Sequence, residues 1–283
     1  MNASDAADPA PVAAVDRARD LVPPDLAAAY ARDGAVVVRG AFTAAEVDLV
    51  RSGIDRVLAE PGPMFLVASE ADDPGRFAED FCRWQDVPEY EEFARTSPAA
   101  GIAGRLMGST TVRLHHDHTL VKEPGTVQRT PWHQDQPYYD VEGRQNCSMW
   151  MPVDPVPRES SLEFVAGSHL GPWLMPRTFR DQQARWFPEG TLAELPDVEA
   201  DRDAFPILGW ALEPGDAVFF HMLALHAAAG SGTRRRAFSL RFLGDDATHA
   251  PRPWRTSPQF DGLAETLPAG APFDDARFPL LIG

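Results

Sequence analysis

The period of hydrophobic and polar positions changes near residue 108. Before it, apolar residues recur at helical spacing. Pro24 to Asp33 reads as a short helix, opened by proline and aspartate, filled with Ala, Leu and Tyr, and closed by Gly34. Ala35 to Arg39 follows as a strand. Phe42-Thr43-Ala-Ala-Glu46 opens another helix, with Thr43 as its cap and Glu46 completing a capping box. Val47, Val50, Ile54 and Leu58 then form its apolar stripe. A third helix is expected from Pro88 to Met107, interrupted near Ser97-Pro98.

After Gly108 the period shortens to two. Thr110 to Val121, Gln145 to Val153, Leu162 to Val165, Ala217 to His221 and Ala237 to Leu243 read as strands. Pro124-Gly125, Pro214-Gly215-Asp216 and Gly230-Ser231-Gly232 punctuate them. Many short strands with turn signals between them predict a sandwich or barrel. The fold expected is therefore α+β: N-terminal helices packed on the major sheet of a double-stranded β-helix, a cupin-like jelly-roll with its core over about 108–246. Residues 172–213 form a long insertion with Trp173, Trp186, Phe187 and Trp210, read either as a lid or as satellite core under a loop. The Ala/Asp/Pro-rich start predicts a disordered tail over 1–20, leaving a single domain over 21–283.

Composition narrows the partners. The chain has 283 residues, 44% hydrophobic and 24% charged, with apolar content ample for one large core. A formal net charge of −16 argues against nucleic acid and anionic membranes. Two cysteines, Cys82 and Cys147, imply no disulfide framework and fit a reducing cytoplasm. No apolar run reaches the ~18 residues of a membrane span, and the N-terminus lacks the basic start and apolar centre of a secretory signal. A cytoplasmic protein, monomer or homodimer, is expected, and the Ala/Arg/Asp/Pro bias resembles that of high-GC bacteria.

The chemistry concentrates in Thr130-Pro-Trp-His-Gln-Asp-Gln-Pro-Tyr-Tyr139. Trp132, Tyr138 and Tyr139 favour extended backbone, and on a strand the side chains of His133 and Asp135 leave the same face. A second His would complete a 2-His-1-carboxylate facial triad, which keeps positions open on Fe(II). His221 and His226 are the candidates. His226 is preferred because Ala227, Ala228, Ala229 and Gly230 leave room beside it, and His221 takes an orienting role at most. On the next strand Arg235, Ala237, Ser239 and Arg241 share a small, polar face, whereas Arg236, Phe238, Leu240 and Phe242 share an apolar one. A guanidinium on the polar face can pair with a carboxylate, which makes Arg235 the candidate anchor for an acid cosubstrate; a one-residue register change would substitute Arg236.

With these pieces the chain resembles the phytanoyl-CoA dioxygenase family of Fe(II)/2-oxoglutarate oxygenases. The matching segments are Trp132-His-Gln-Asp135, Ser148-Met-Trp-Met-Pro-Val153, Leu162-Glu-Phe-Val-Ala-Gly-Ser-His169, Pro214-Gly-Asp216, His226 and Arg235-Arg-Ala-Phe-Ser-Leu240, in family order over roughly Ala35 to Asp246. The resemblance implies iron at His133, Asp135 and His226, the C5 carboxylate of 2-oxoglutarate at Arg235, and Trp150 lining its pocket. It implies consumption of O2 and decarboxylation of 2-oxoglutarate to succinate, coupled to hydroxylation of an unactivated C–H bond in a small molecule. The same scaffold serves oxidative cyclisation, desaturation and epimerisation. Related halogenases carry a small residue in place of the carboxylate, so Asp135 points to oxygenation. The chain departs from the family pattern at Ala227-Ala228, where a Gly-Ser pair is frequent, and at the missing Asn beyond it. Thr130, Ser148 and Ser239 are the candidate replacement hydroxyls.

Other polar residues have two readings. His115, His116 and His118 suggest a second metal cluster, but alternation sends His116, His118, Leu120 and Lys122 to one face and His115 with Asp117 to the other. Lys122 and His118 are candidate substrate contacts, against a hydrogen-bonded structural role. Tyr138 and Tyr139 shape either the substrate pocket or the core. Arg241 holds either a substrate anion or the nearby Asp245 or Asp246. A non-catalytic cupin-like metal sensor is the third reading of the whole chain, and Arg235 speaks against it, since a pure metal site needs no carboxylate anchor.

Overall fold

The computed structural model describes residues 12–70, 72–177, 187–188 and 190–283. In chain order the elements are α1 (Val12–Leu21), α2 (Pro24–Asp33), β1 (Ala35–Val38), α3 (Ala44–Ala59), β2 (Leu66–Val67), β3 (Phe77–Phe81), α4 (Pro88–Thr96) and α5 (Ala99–Met107). There follow β4 (Val112–Lys122), β5 (Thr130–His133), β6 (Val141–Glu142), β7 (Asn146–Pro152), β8 (Leu162–Val165) and β9 (Ile207–Gly209). The last are β10 (Ala217–Phe220), β11 (His226–Ala228), β12 (Arg235–Leu243), β13 (Thr248–His249), α6 (Leu263–Thr266) and β14 (Leu280–Ile282).

Two antiparallel sheets carry the architecture. The larger runs β1-β10-β7-β12-β4-β3-β2, with β14 also on β4, and the smaller runs β5-β11-β8-β9. Alternation on the central strands of the large sheet sorts the core. Met149, Met151, Phe219, Phe238, Leu240 and Phe242 pack against the helices, in one cluster with Val50, Ile54, Phe93 and Ile102. The residues between them, Trp150, Val218, Phe220 and Ala237, face Leu162, Phe164 and Ala228 of the small sheet. This is the expected α+β arrangement: a jelly-roll sandwich with helices on the outer face of its major sheet.

Local signals account for the helices. Thr43 accepts from the Glu46 amide at 3.3 Å, and Glu46 accepts from the Thr43 amide at 2.7 Å, closing the capping box. Gly34 ends α2 at φ 82°, and a β-carbon there would lie 2.5 Å from His169 Nδ1. The helical stretch from Pro88 breaks at Ser97-Pro98 into α4 and α5, because the residue before proline is driven out of the helical region.

Several expectations are corrected. The tail expected over 1–20 does not extend that far: Val12–Leu21 is helix α1, and Ala18 is fully buried in the helical core. Residues 1–11 lie outside the described residues. The sheet reaches beyond 108–246, since β1, β2, β3 and β14 join it; Phe77-Ala-Glu-Asp-Phe81 carries two acidic residues and does not read as a buried strand. The insertion 172–213 is not all loop, because β9 extends the small sheet by pairing with β8. Trp173 lies under Arg252 at 4.8 Å, and Trp210 packs on the inter-sheet core, so the satellite reading fits both. Trp186 lies outside the described residues.

Candidate active site

A cavity of about 630 Å³ opens between the sheets, lined on one side by His133, Asp135 and His226 and on another by Arg235, Ser239 and Arg241. Strand pairing assembles the first group. β5 and β11 are antiparallel neighbours with His133 directly opposite His226, and the two imidazoles lie 4.2 Å apart. Asp135 arrives differently from the sequence expectation. The strand stops at His133, and Asp135 adopts helical angles (φ −74°, ψ −47°) at the start of a 3-10 turn over Gln136–Tyr138. Convergence of His133 and Asp135 thus comes from a corner rather than from strand alternation.

Hydrogen bonds hold that corner. The Asp135 and Gln136 amides both donate to Met222 O, at 2.8 and 3.0 Å. Gln134 donates to Leu223 O at 2.9 Å and accepts from the Leu174 amide at 2.7 Å. Asn146 accepts from the Met222 amide and donates to Gln136 Oε1. Gln134 and Asn146 carried no role in the sequence reading, because the backbone groups they hold at Leu223, Leu174 and Met222 are distant in sequence.

The three donor groups are aimed. His133 Nδ1 donates to Pro131 O at 2.8 Å, and His226 Nδ1 donates to Ala224 O at 2.9 Å, each the carbonyl two residues before. In the neutral ring this puts the proton on Nδ1 and leaves Nε2 as the donor atom of each histidine. The two Nε2 atoms lie 3.5 and 3.8 Å from Asp135 Oδ1. The other oxygen, Oδ2, accepts from Ser148 Oγ at 3.1 Å and pairs with Arg241 Nε at 3.0 Å. Burial opposes ionisation of Asp135, but the Arg241 guanidinium beside it outweighs burial and holds the carboxyl well below its usual range. His226 is pushed down to about 3 by burial, with His133 beside it, and so stays neutral. Two imine nitrogens and one carboxylate oxygen within 4.8 Å of one another are a donor set that fits a divalent iron.

Arg235 faces the cavity and is 4% exposed. Its Nη1 donates to Ser160 O and its guanidinium lies 5.8 Å from the Trp150 ring. No carboxylate among the described residues forms an ion pair with it, and burial lowers its pKa to about 10. A buried guanidinium with no anion of its own is a seat for a carboxylate. Arg236 points to the other face and is paired with Asp154 at 2.8 Å and Asp55 at 3.1 Å, so of these two arginines it is Arg235 that faces the cavity. Ser239 Oγ is buried in the same wall without a hydrogen-bond partner, and Thr130 also lines it.

The remaining candidates separate. His118, Tyr138, Tyr139 and Arg241 line the cavity. Lys122 does not: its Nζ donates to Gln128 O at 2.7 Å and Ala229 O at 3.0 Å, and burial, with Arg235 opposite, lowers its pKa to about 6. Arg241 is not bound to Asp245 or Asp246, which instead accept the amides of Thr110, Thr111, Arg144 and Gln145. His221 lies outside the cavity lining, fixed by Arg144 O and the Leu223 amide. Alternation fails at His115. A bulge in β4 opposite Arg241 and Phe242 leaves it unpaired and turns its ring onto His116, Nδ1 to Nδ1 at 2.8 Å. The cavity also uses Leu66, Val67, Glu79 and Phe81, which went unread because β2 and β3 were not foreseen.

Comparison with known proteins agrees with this geometry. A curated "probable phytanoyl-CoA dioxygenase" of Caenorhabditis elegans is 28% identical over 171 residues, 57% of this chain. The match covers 53% of that protein, so the chain spans about half the length of the curated relative it matches. The crystal structure of SnoK, described as a non-haem alpha-ketoglutarate-dependent carbocyclase from nogalamycin biosynthesis, superposes with a TM-score of 0.71 at 25% identity, covering 93% of this chain and 97% of that one. The epimerase SnoN, solved with Fe3+, alpha-ketoglutarate and nogalamycin RO, superposes with a TM-score of 0.67 at 25% identity, covering 95% and 99%. The family model described as phytanoyl-CoA dioxygenase (PhyH) matches residues 30–237. The chain belongs to the phytanoyl-CoA dioxygenase family.

Proposed function

We propose that this protein oxidises an aliphatic C–H bond of a small molecule, with His133, Asp135 and His226 holding Fe(II) and Arg235 holding the far carboxylate of 2-oxoglutarate. One observation carries the reading: two oriented Nε2 atoms and Asp135 Oδ1 meet in the same cavity as a buried guanidinium that lacks an anion among the described residues. When bound, iron and 2-oxoglutarate supply the oxidising power, with O2 consumed and succinate and CO2 released. The protein supplies position and charge. The Pro131 and Ala224 carbonyls orient the imidazoles, and Ser148 and Arg241 hold the carboxylate oxygen that faces away from them. Ser239 and Thr130 offer hydroxyls where the family's Gly-Ser pair is absent, and Trp150 closes the wall beside Arg235. His118, Tyr138 and Tyr139 form the substrate side of the cavity. Residues 21–283 act as one oxygenase unit, a reading supported by a major sheet that takes strands from both ends of that stretch.

Hydroxylation is the outcome we assign, and the carboxylate at Asp135 speaks against halogenation. A second reading, oxidative ring closure or epimerisation in secondary metabolism, is favoured by the likeness to SnoK and SnoN. Product mass separates them: a gain of one oxygen marks hydroxylation, a loss of two hydrogens marks ring closure or desaturation, and an unchanged mass marks epimerisation. The oxygenase reading itself is tested by adding 2-oxoglutarate to the anaerobic Fe(II) protein. A visible charge-transfer absorption is expected, and its loss in His226→Ala. Undiminished succinate formation by Asp135→Asn would sink the ligand assignment.

A further inference from the structure

The reaction cavity contains a carboxylate that no Lys or Arg among the described residues meets in an ion pair. Glu79 is on β3, lines the cavity and is 8% exposed. Its nearest charged or titratable partner is His118, Nε2 to Oε1 at 3.3 Å, and no Lys or Arg among the described residues forms an ion pair with it. Burial lowers the pKa of His118, although Glu79 beside it works in the other direction. The other basic groups nearby are engaged: Arg241 with Asp135, Arg236 on the opposite face, and Lys122 with two carbonyls, where Glu79 acts on it only from beyond contact distance and burial holds its pKa near 6. Arg235 is the seat reserved above for the cosubstrate.

A carboxylate removed from water costs several kcal/mol unless a charge or several hydrogen bonds compensate it. A neutral imidazole compensates little. The completing cation is therefore expected from the ligand. A divalent metal does not fit, because the one cluster of three metal-ligating groups among the described residues is His133, Asp135 and His226. The surroundings favour an organic cation. Phe81 stacks on His118 at 3.9 Å, offering an aromatic face beside the carboxylate. Leu66 is paired across from Glu79, and Leu66 and Val67 remain 39% and 47% exposed at the cavity wall.

We propose that the substrate is an amphipathic amine: a protonated nitrogen sits on Glu79, and an apolar body lies over Leu66, Val67 and Phe81. This assignment rests on the oxygenase reading for the identity of the cavity. A hydroxyl in place of the amine would give one hydrogen bond and leave the buried charge uncompensated.

Matched amine and alcohol pairs test it: 4-phenylbutylamine with 4-phenylbutan-1-ol, octylamine with octan-1-ol, and 1-naphthylmethylamine with 1-naphthylmethanol. Binding is measured by calorimetry at neutral pH on the anaerobic protein loaded with Fe(II) and 2-oxoglutarate, and on the metal-free protein. At least one amine is expected to bind tenfold or more tightly than its alcohol, about 1.4 kcal/mol. Glu79→Gln is expected to abolish that preference while changing alcohol affinity less than twofold, and Glu79→Asp to retain part of it. Equal binding of amine and alcohol in every pair, failure of all three amines to bind, or a preference surviving in Glu79→Gln overturns the proposal. The charge-transfer absorption scores the oxygenase reading separately. An absent band with an intact amine preference removes that reading alone, and a normal band without the preference removes this one.

Discussion

At the scale of single residues, the site is a set of charges whose partners are assigned or missing. Asp135 has Arg241, and Arg235 has no anion among the described residues. Removing one partner of a buried ion pair costs about 3–5 kcal/mol, because it strands the other. Arg241→Gln is therefore expected to lower the unfolding free energy of the metal-free protein by roughly that amount in urea titrations. Arg235→Gln strands nothing. It should leave stability unchanged or raised and increase KM for 2-oxoglutarate at least tenfold, with a smaller effect on kcat. An unchanged KM would remove Arg235 as the anchor and leave its buried charge without a purpose.

At the scale of elements, two junctions set the geometry. The corner after β5 depends on Gln134, whose amide group bridges Leu223 O and the Leu174 amide. Gln134→Ala leaves both proposed ligands of the corner present but loosens its backbone. Supports of this kind typically change metal affinity 10–100-fold, and a competition titration with a chelator should find a loss in that range. The other junction is Gly34, where α2 turns into β1 at φ 82° against the His169 ring. Gly34→Ala meets both a left-handed backbone and a contact no side chain tolerates. It is expected to cost about 1–3 kcal/mol in thermal unfolding, with little change in metal affinity.

At the scale of the whole molecule, buried histidines link stability to pH. Burial, with His169 nearby, pushes His221 down to about 3, against about 6.5 in an unfolded chain. As pH falls below about 6.5 the unfolded chain takes up a proton that the folded chain refuses. Stability is thus full above that value and declines toward pH 3, on the order of 1 kcal/mol per pH unit for such a group. His116, His118 and His169 are shifted in the same direction. Asp117, raised to about 6 by burial, opposes them between about pH 4 and 6. The metal-free protein should lose melting temperature steadily from pH 7 to 5, and His221→Gln should flatten that slope. No helix among the described residues is long and apolar enough to cross a membrane.

Local rules made much of this legible from the chain. The capping box at Thr43, the stop at Gly34 and the break at Pro98 act within a few residues, and the helices follow from them. Alternation along Arg235 to Phe242 separated the cavity face from the helix face for the same reason. Ordered motifs gave the family, and with it the proposed ligands His133, Asp135 and His226 and the proposed anchor Arg235. Tertiary pairing decided the rest. His133 faces His226 only because β5 and β11 pair in that register, and Asp135 joins them through a corner held by Met222 O. Arg241 found Asp135 rather than its sequence neighbours, and a bulge turned His115 against its expected face. Glu79 entered the cavity on a strand that its own composition conceals. Sequence determines what is local in period and chemistry; a partner more than a hundred residues away is set by register, which the chain fixes only by folding.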